Sequence, residues 1–178
     1  MLFAASMLSP WVREHRRDVP YAAGLLLLIC TVNLFLAGRT ILGAPSHQKF
    51  RGVSEYLLEH APSQTVANSQ WNQYPFLYYW NSRNRYLVGV DPTFFYLADP
   101  QRYWLWRHLS DDQTTTCAAE HCTPSDLRDI ARTFAETLGA KLILTEHDRN
   151  PNLESALRAH PGIDEVYRDD AVSLYRIR

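Results

Sequence analysis

The run TPSDLRDIARTFAETLGAKLILT, residues 123–145, decides the fold class. Thr123 is a good helix N-cap, Pro124 suits the first helical position, and Asp126 lies three residues after the cap. Leu127, Ile130, Ala131, Phe134 and Leu138 follow as one apolar stripe at helical spacing. Gly139 supplies the residue that ends a helix in the left-handed conformation. Lys141–Thr145 is then a short apolar run of strand length, which reads as a buried strand. A helix passing directly into a buried strand points to an α/β protein with a partly parallel sheet.

The same reading extends in both directions. Downstream, Asn150-Pro151 opens a helix that carries Leu153, Ala156 and Leu157 and stops at Pro161-Gly162. Glu165–Tyr167 and Val172–Ile177 pair as a closing hairpin around Asp169-Asp170. Upstream, Phe50, Val53, Leu57 and Ala61 recur at helical spacing, so a helix runs over 47–60 and ends before Pro62. Thr65–Asn68 and Tyr86–Val90 are strands, Pro75–Trp80 is a helical turn, and Pro100–Leu109 is a helix capped by Asp99. The order α-β-α-β-α-α-β-α-β-β predicts a small three-layer α/β domain over 46–178, with a mixed, partly parallel sheet and an antiparallel edge. Asp111–Ala119 is a loop.

Residues 1–45 differ in kind. Val19–Gly38 contains no charge, and about 20 helical residues at roughly 1.5 Å each span the hydrocarbon of a bilayer. The expectation is a membrane anchor over 1–45 with a transmembrane helix at about 19–38. Asn33 is the polar intruder, read as an amide that faces a neighbouring helix or is tolerated near one end. A cleaved signal peptide fits less well, because Leu36-Ala37-Gly38 and Leu42-Gly43-Ala44 both lack a small residue at the outer position of a cleavage site. Arg13, Arg16 and Arg17 cluster before the span, which makes that side cytoplasmic and 46–178 extracytoplasmic at the inner (cell) membrane. The apolar stub Met1–Val12 is either an interfacial start or the tail of a preceding membrane helix, with Pro10–Asp18 as a short loop. The formal net charge is −1. No basic excess exists to hold a nucleic-acid backbone, so no nucleic-acid partner is expected.

Chemistry-bearing motifs are sparse. There is no G-x-G-x-x-G, P-loop, H-E-x-x-H or G-x-S-x-G pattern. Neither a catalytic residue nor a cofactor is assigned. Cys117 and Cys122, five positions apart, most simply form a local disulfide outside the cytoplasm. Two free thiols, or a metal site using Cys117, His121, Cys122 and His108, are the alternatives, the last a weak zinc pattern. The unusual feature is aromatic density: Trp71–Trp106 holds 13 of the 22 aromatic residues, interleaved with Asn, Gln and Asp. Such a surface suits sugar rings, a membrane headgroup layer or a plain core. Trp71, Asn72, Asn81 and Asp91 are the candidate substrate-binding residues, because they flank strand ends where loops converge. For Asp91, before Pro92, the simpler role is to cap a turn.

The stretch VANSQWNQYPFLYYWNSRNRYLVGVDPTFFYLADPQRYWLW, residues 66–106, carries a resemblance. Trp71, Tyr74-Pro75, Phe76–Trp80, Asn81, Tyr86, Gly89–Phe94, Tyr96, Asp99-Pro100, Tyr103 and Trp106 resemble the C-terminal extracytoplasmic region of bacterial GT-C superfamily membrane glycosyltransferases, related to the dolichyl-phosphate-mannose–protein mannosyltransferases. The resemblance covers about residues 47–178. It implies sugar transfer from a polyprenyl-phosphate donor on the extracytoplasmic side. The family's catalytic acid lies in its first extracytoplasmic loop, and no position of this sequence matches it. The chain is therefore expected to be a C-terminal fragment or accessory domain of such an enzyme, not catalytic alone, with the bilayer, a polyprenyl-phosphate-linked sugar or glycan, and further transmembrane helices of a longer protein as its partners. A stand-alone, single-pass glycan- or protein-binding module is the other expectation.

Overall fold

The computed structural model describes residues 19–42, 46–89 and 91–178. The stub Met1–Val12, the loop Pro10–Asp18 with its arginine cluster, and Val90 lie outside the described residues. The chain divides into two units, Met1–Ser46 and His47–Arg178.

In the first unit, helix α1 covers Val19–Leu42. Its Pro20–Thr40 portion is long and apolar enough to cross a membrane by length and composition. The helix runs four residues beyond the expected end, and Arg39 in its last turn suits the negative pole of the helix dipole. Asn33 donates from Nδ2 to the Ile29 carbonyl at 2.8 Å, and Thr31 donates to the Leu27 carbonyl at 2.8 Å. Each polar side chain thus donates to a carbonyl one turn back in its own helix.

The second unit is α/β. Its helices are α2 (Arg51–His60), α3 (Tyr74–Trp80), α4 (Pro92–Ala98), α5 (Pro100–Ser110), α6 (Ile130–Arg132) and α7 (Pro151–Ala159). Its strands are β1 (Thr65–Asn68), β2 (Arg85–Tyr86), β3 (Leu142–Glu146), β4 (Ile163–Arg168) and β5 (Val172–Ile177). The sheet order is β2-β1-β3-β5-β4. β1 runs parallel to β2 and β3, with Ala67 opposite Ile143, while β5 is antiparallel to β3 and β4.

Strand alternation sends side chains to two cores. Val66, Leu142, Leu144, Val172 and Leu174 meet Phe50, Val53, Leu57 and Leu77 from the α2–α3 side. Ala67, Ile143, Tyr175 and Ile177 meet Leu105, Trp106, Leu109, Phe134, Leu153 and Leu157 from the α5–α7 side. The expectation of an α/β domain with a mixed, partly parallel sheet holds.

Four local expectations are corrected. The helix expected from Thr123 begins instead at Ile130, capped by the Asp129 side chain, which accepts from the Arg132 N–H at 2.8 Å. Thr123–Asp126 is a turn: the Asp126 N–H donates to the Thr123 carbonyl, and the Thr123 hydroxyl donates to the Asp126 carboxylate. The next segment is extended because Arg128 pairs with Thr116 as an isolated antiparallel bridge. Leu127, expected in the stripe, is consequently exposed. A π turn over Thr133–Thr137 then leads to Gly139 at φ +68°, the left-handed stop that was expected. Second, the expected strand Tyr86–Val90 shrinks to Arg85–Tyr86, because the Asn68 side chain takes over as partner for the Val88 N–H and carbonyl. Third, a helix not expected, α4, follows Asp91-Pro92. Fourth, Asn150 stands at the N-cap position of α7 as expected, but its side chain makes no cap hydrogen bond. Asp112 reaches across from the loop after α5, accepts from the Asn152 and Leu153 N–H groups, and Asn150 donates instead to the Ser110 carbonyl.

Candidate functional site

Three features of the α/β unit could bear chemistry, and each is positioned by the fold differently. The first is an aromatic cleft at the α4–α5 corner. Asp91 holds extended backbone, accepts from the Thr93 N–H at 2.8 Å, and starts α4 with Pro92 at N1. Asp99 repeats the device for α5 by accepting from the Arg102 N–H. The two helices pack through Phe95 against Tyr103 and Trp106, and through Tyr96 against Tyr103 and Trp104. Pro92, Thr93, Tyr96, Tyr103 and Trp104 line a hollow of about 280 Å³. That volume lies at the low end for ligand clefts and suits one ring rather than an extended ligand. Phe94 and Leu97, three residues apart on the outward side of α4, are 72% and 71% exposed. No residue of α4 is buried.

The second feature is a polar network at the carboxyl ends of β1 and β3. The chain leaves β1 through α3 to reach β2 on one side, then passes through α4–α6 to β3 on the other side of β1. This is a topological switch point, the usual ligand edge of an α/β sheet. Glu146, buried at the end of β3, accepts from Gln73 Nε2 at 2.8 Å and from Lys49 Nζ at 2.5 Å. Gln73 also donates to the Ser69 hydroxyl and accepts from the Gln70 N–H. Every polar atom named here has a partner, so the arrangement reads as a fixed, partly buried ion pair and not as an open site.

The third feature joins α5 to the loop after it. Cys117 and Cys122 lie at disulfide distance, with their Cα atoms 5.6 Å apart. His108, Cys117 and Cys122 place their ligand-type atoms within 4.8 Å of one another. His121, offered by the sequence as a companion, is exposed and outside this group.

The residues expected to bind substrate are spread over several settings. Trp71 and Asn72 sit on the 3-10 turn Trp71–Gln73, Trp71 at 43% exposure and Asn72 exposed. Asn81 is buried. It accepts from the Arg83 and Asn84 N–H groups and donates to Asn84 Oδ1 and the Ser54 carbonyl. Asp91 is exposed, and the Thr93 N–H that it accepts holds its carboxyl below the usual range. Among the described residues no hydrogen bond links any two of these four. The cleft residues Thr93, Tyr96 and Trp104 were not among the candidate binding residues, although Thr93 and Tyr96 fall in the stretch that carries the resemblance. The Asp91-Pro92 pair, read like Asp99-Pro100, was the signal for the helix that builds the cleft.

These features define a class: an α/β unit with a three-layer core and an aromatic corner, in a chain that also carries a helix of membrane-spanning length. Comparisons with protein-family models, curated proteins and solved structures find no match.

Proposed function

We propose that this chain is membrane-anchored through α1, and that its α/β domain lies on the extracytoplasmic side of the inner membrane and holds a polyprenyl-phosphate-linked sugar. In this reading it serves a GT-C-type glycosyltransferase as an accessory or C-terminal domain and does not transfer sugar alone. The observation that carries the proposal is the α4–α5 corner. An apolar, ring-sized hollow lined by Pro92, Thr93, Tyr96, Tyr103 and Trp104 is formed on the same helix as Phe94 and Leu97, which the fold leaves exposed. Aromatic faces stack on the C–H face of a sugar, while exposed aromatic and aliphatic side chains suit the headgroup layer where a lipid-linked sugar resides. The apolar α1 helix supports the anchoring, and the cysteine pair supports an oxidising compartment.

The test is binding of the full chain, reconstituted in lipid nanodiscs, to a photoreactive polyprenyl-phosphate-sugar. Crosslinks are expected to map to 92–104, and Tyr96→Ala with Trp104→Ala should lower capture about tenfold, the equivalent of ~1.4 kcal/mol. Capture that is unchanged in the folded double variant would overturn the assignment of the cleft. Protease digestion of the domain only from the cytoplasmic face would overturn the topology.

A further inference from the structure

We infer that His108, Cys117 and Cys122 form a redox-gated zinc site: a disulfide when oxidised and a three-ligand N/S₂ metal site when reduced. The inference is independent of the sugar-binding reading. It rests on an imidazole nitrogen that the oxidised state leaves without a hydrogen-bond donor. His108 is only 5% exposed. Its Nε2 lies 3.1 Å from the Glu120 carbonyl. A carbonyl only accepts, so in the neutral ring Nε2 carries the proton and Nδ1 presents a lone pair. That lone pair faces Cys122 Sγ at 3.7 Å. A disulfide sulfur has no hydrogen to offer, so a buried acceptor is aimed at an atom that cannot satisfy it. A thiol on Cys122 would satisfy it, and so would a metal ion held between nitrogen and sulfur.

The surroundings match a zinc ligand set. A zinc-bound histidine ordinarily donates its other N–H to a carbonyl or carboxylate, which is the contact His108 makes with Glu120. Stacking on Trp104, with ring centroids 6.0 Å apart, fixes the ring plane. Zinc at about 2.3 Å from sulfur and about 2.0 Å from nitrogen sets tetrahedral ligand separations of roughly 3.5–3.8 Å. The Nδ1–Cys122 distance already has this value, and opening the S–S bond supplies the remaining separation. Three protein ligands leave the fourth position to water or an incoming ligand.

The redox step needs a dithiol reductant. Two electrons and two protons pass from the dithiol to the Cys117–Cys122 bond, giving two thiols and a cyclic disulfide on the reductant. Zn²⁺ then replaces both thiol protons, which leave to solvent.

The experiment uses the full chain in detergent micelles, reduced with a phosphine and titrated with Co²⁺ as a spectroscopic stand-in for Zn²⁺. Reduced protein is expected to bind one Co²⁺ per chain with a thiolate-to-cobalt charge-transfer band, and oxidised protein to show none. His108→Asn, folded by circular dichroism, should weaken Co²⁺ binding at least about tenfold, since losing even an outer-sphere partner costs that much. X-ray absorption of the zinc-loaded wild type should show two sulfurs and an imidazole nitrogen, and this holds whether or not the variant folds. Absence of the charge-transfer band in reduced protein, equal binding by the oxidised form, or a zinc shell without imidazole would each overturn the inference.

Discussion

Replacing Asn81 by alanine separates a structural role from a binding role at a position that the sequence nominated as a site. Asn81 is 1% exposed and its neighbour Asn84 is 3% exposed. The substitution removes the acceptor of the buried Asn84 N–H and the donor to Asn84 Oδ1, while the Arg83 N–H can turn to water. Two buried polar groups are orphaned at about 1–3 kcal/mol each. Asn84 is also the residue that ties the Ala61 and Gln64 carbonyls to the start of β2, so relaxation of its side chain would strain a second loop. A total near 3 kcal/mol is expected, which for a unit of His47–Arg178 lowers the melting temperature by roughly 10 °C. Tryptophan fluorescence melts of the full chain in micelles give the readout. Asp91→Asn and Asn72→Ala are the controls: both residues are exposed, and asparagine caps a helix as well as aspartate does, so neither should shift the melt. An Asn81→Ala melt within about 2 °C of wild type would refute the reasoning. Loss of ligand capture at an unchanged melt would move Asn81 back into the site.

Lys49→Met should destabilise the domain by about 2 kcal/mol, because it leaves the Glu146 carboxylate unpaired. The figure is below the 3–5 kcal/mol of a fully buried pair because Lys49 keeps 21% side-chain exposure. Lys49→Met combined with Glu146→Gln should recover most of the loss in a urea melt, since the amide still accepts from Gln73; failure to recover would show that shape and not charge dominates. Asp129 sits below its normal pKa, chiefly because it accepts from the Arg132 N–H, and secondarily through His160. A depressed folded-state pKa means that its stabilisation is full above the unfolded value near 4 and is lost as pH falls through the folded value. At neutral pH Asp129→Ala should cost at most about 1 kcal/mol, its exposure discounting the charge part. The difference from wild type should vanish in melts well below pH 4; a difference that persists there would assign the effect to packing.

The α/β class, both helices flanking β1, the buried strand β3 and the closing hairpin were legible because their periodicity and punctuation agree. The failures share one cause, which is competition between local signals settled by distant partners. Thr123 and Asp129 both offer N-caps, and Asp129 wins because Arg128 is pulled into an extended pairing with Thr116 while Cys122 is tied to Cys117. Asn150 is a good cap in isolation, but Asp112, at φ 63° in the loop after α5, takes the N–H groups first. Helix α4 was hidden because Phe-Phe-Tyr-Leu-Ala has no polar face to reveal a period. The Glu146 network was invisible because Lys49 and Gln73 reach it from 97 and 73 positions away.

The aromatic-rich segment was open to three readings, and the distribution of exposure weighs among them. Among the thirteen aromatics of Trp71–Trp106, Trp106 alone is fully buried, with its indole N–H donating to the Asn68 carbonyl at 3.0 Å. The cores on both sheet faces are filled mainly by leucine, isoleucine and valine. Tyr78, Tyr79, Phe94 and Tyr96 remain 42–72% exposed. Fully burying one such side chain would stabilise a fold by about 1.5–3 kcal/mol, so packing demand cannot account for aromatics that the fold leaves out. Polar residues at those positions would spare the domain an exposed apolar surface, which soluble monomers rarely keep without a use. Core packing therefore explains Trp106 and the half-buried Phe95 and Tyr103, while Phe94 and Tyr96 on α4 are the exposed aromatics on which the proposed sugar-binding reading draws.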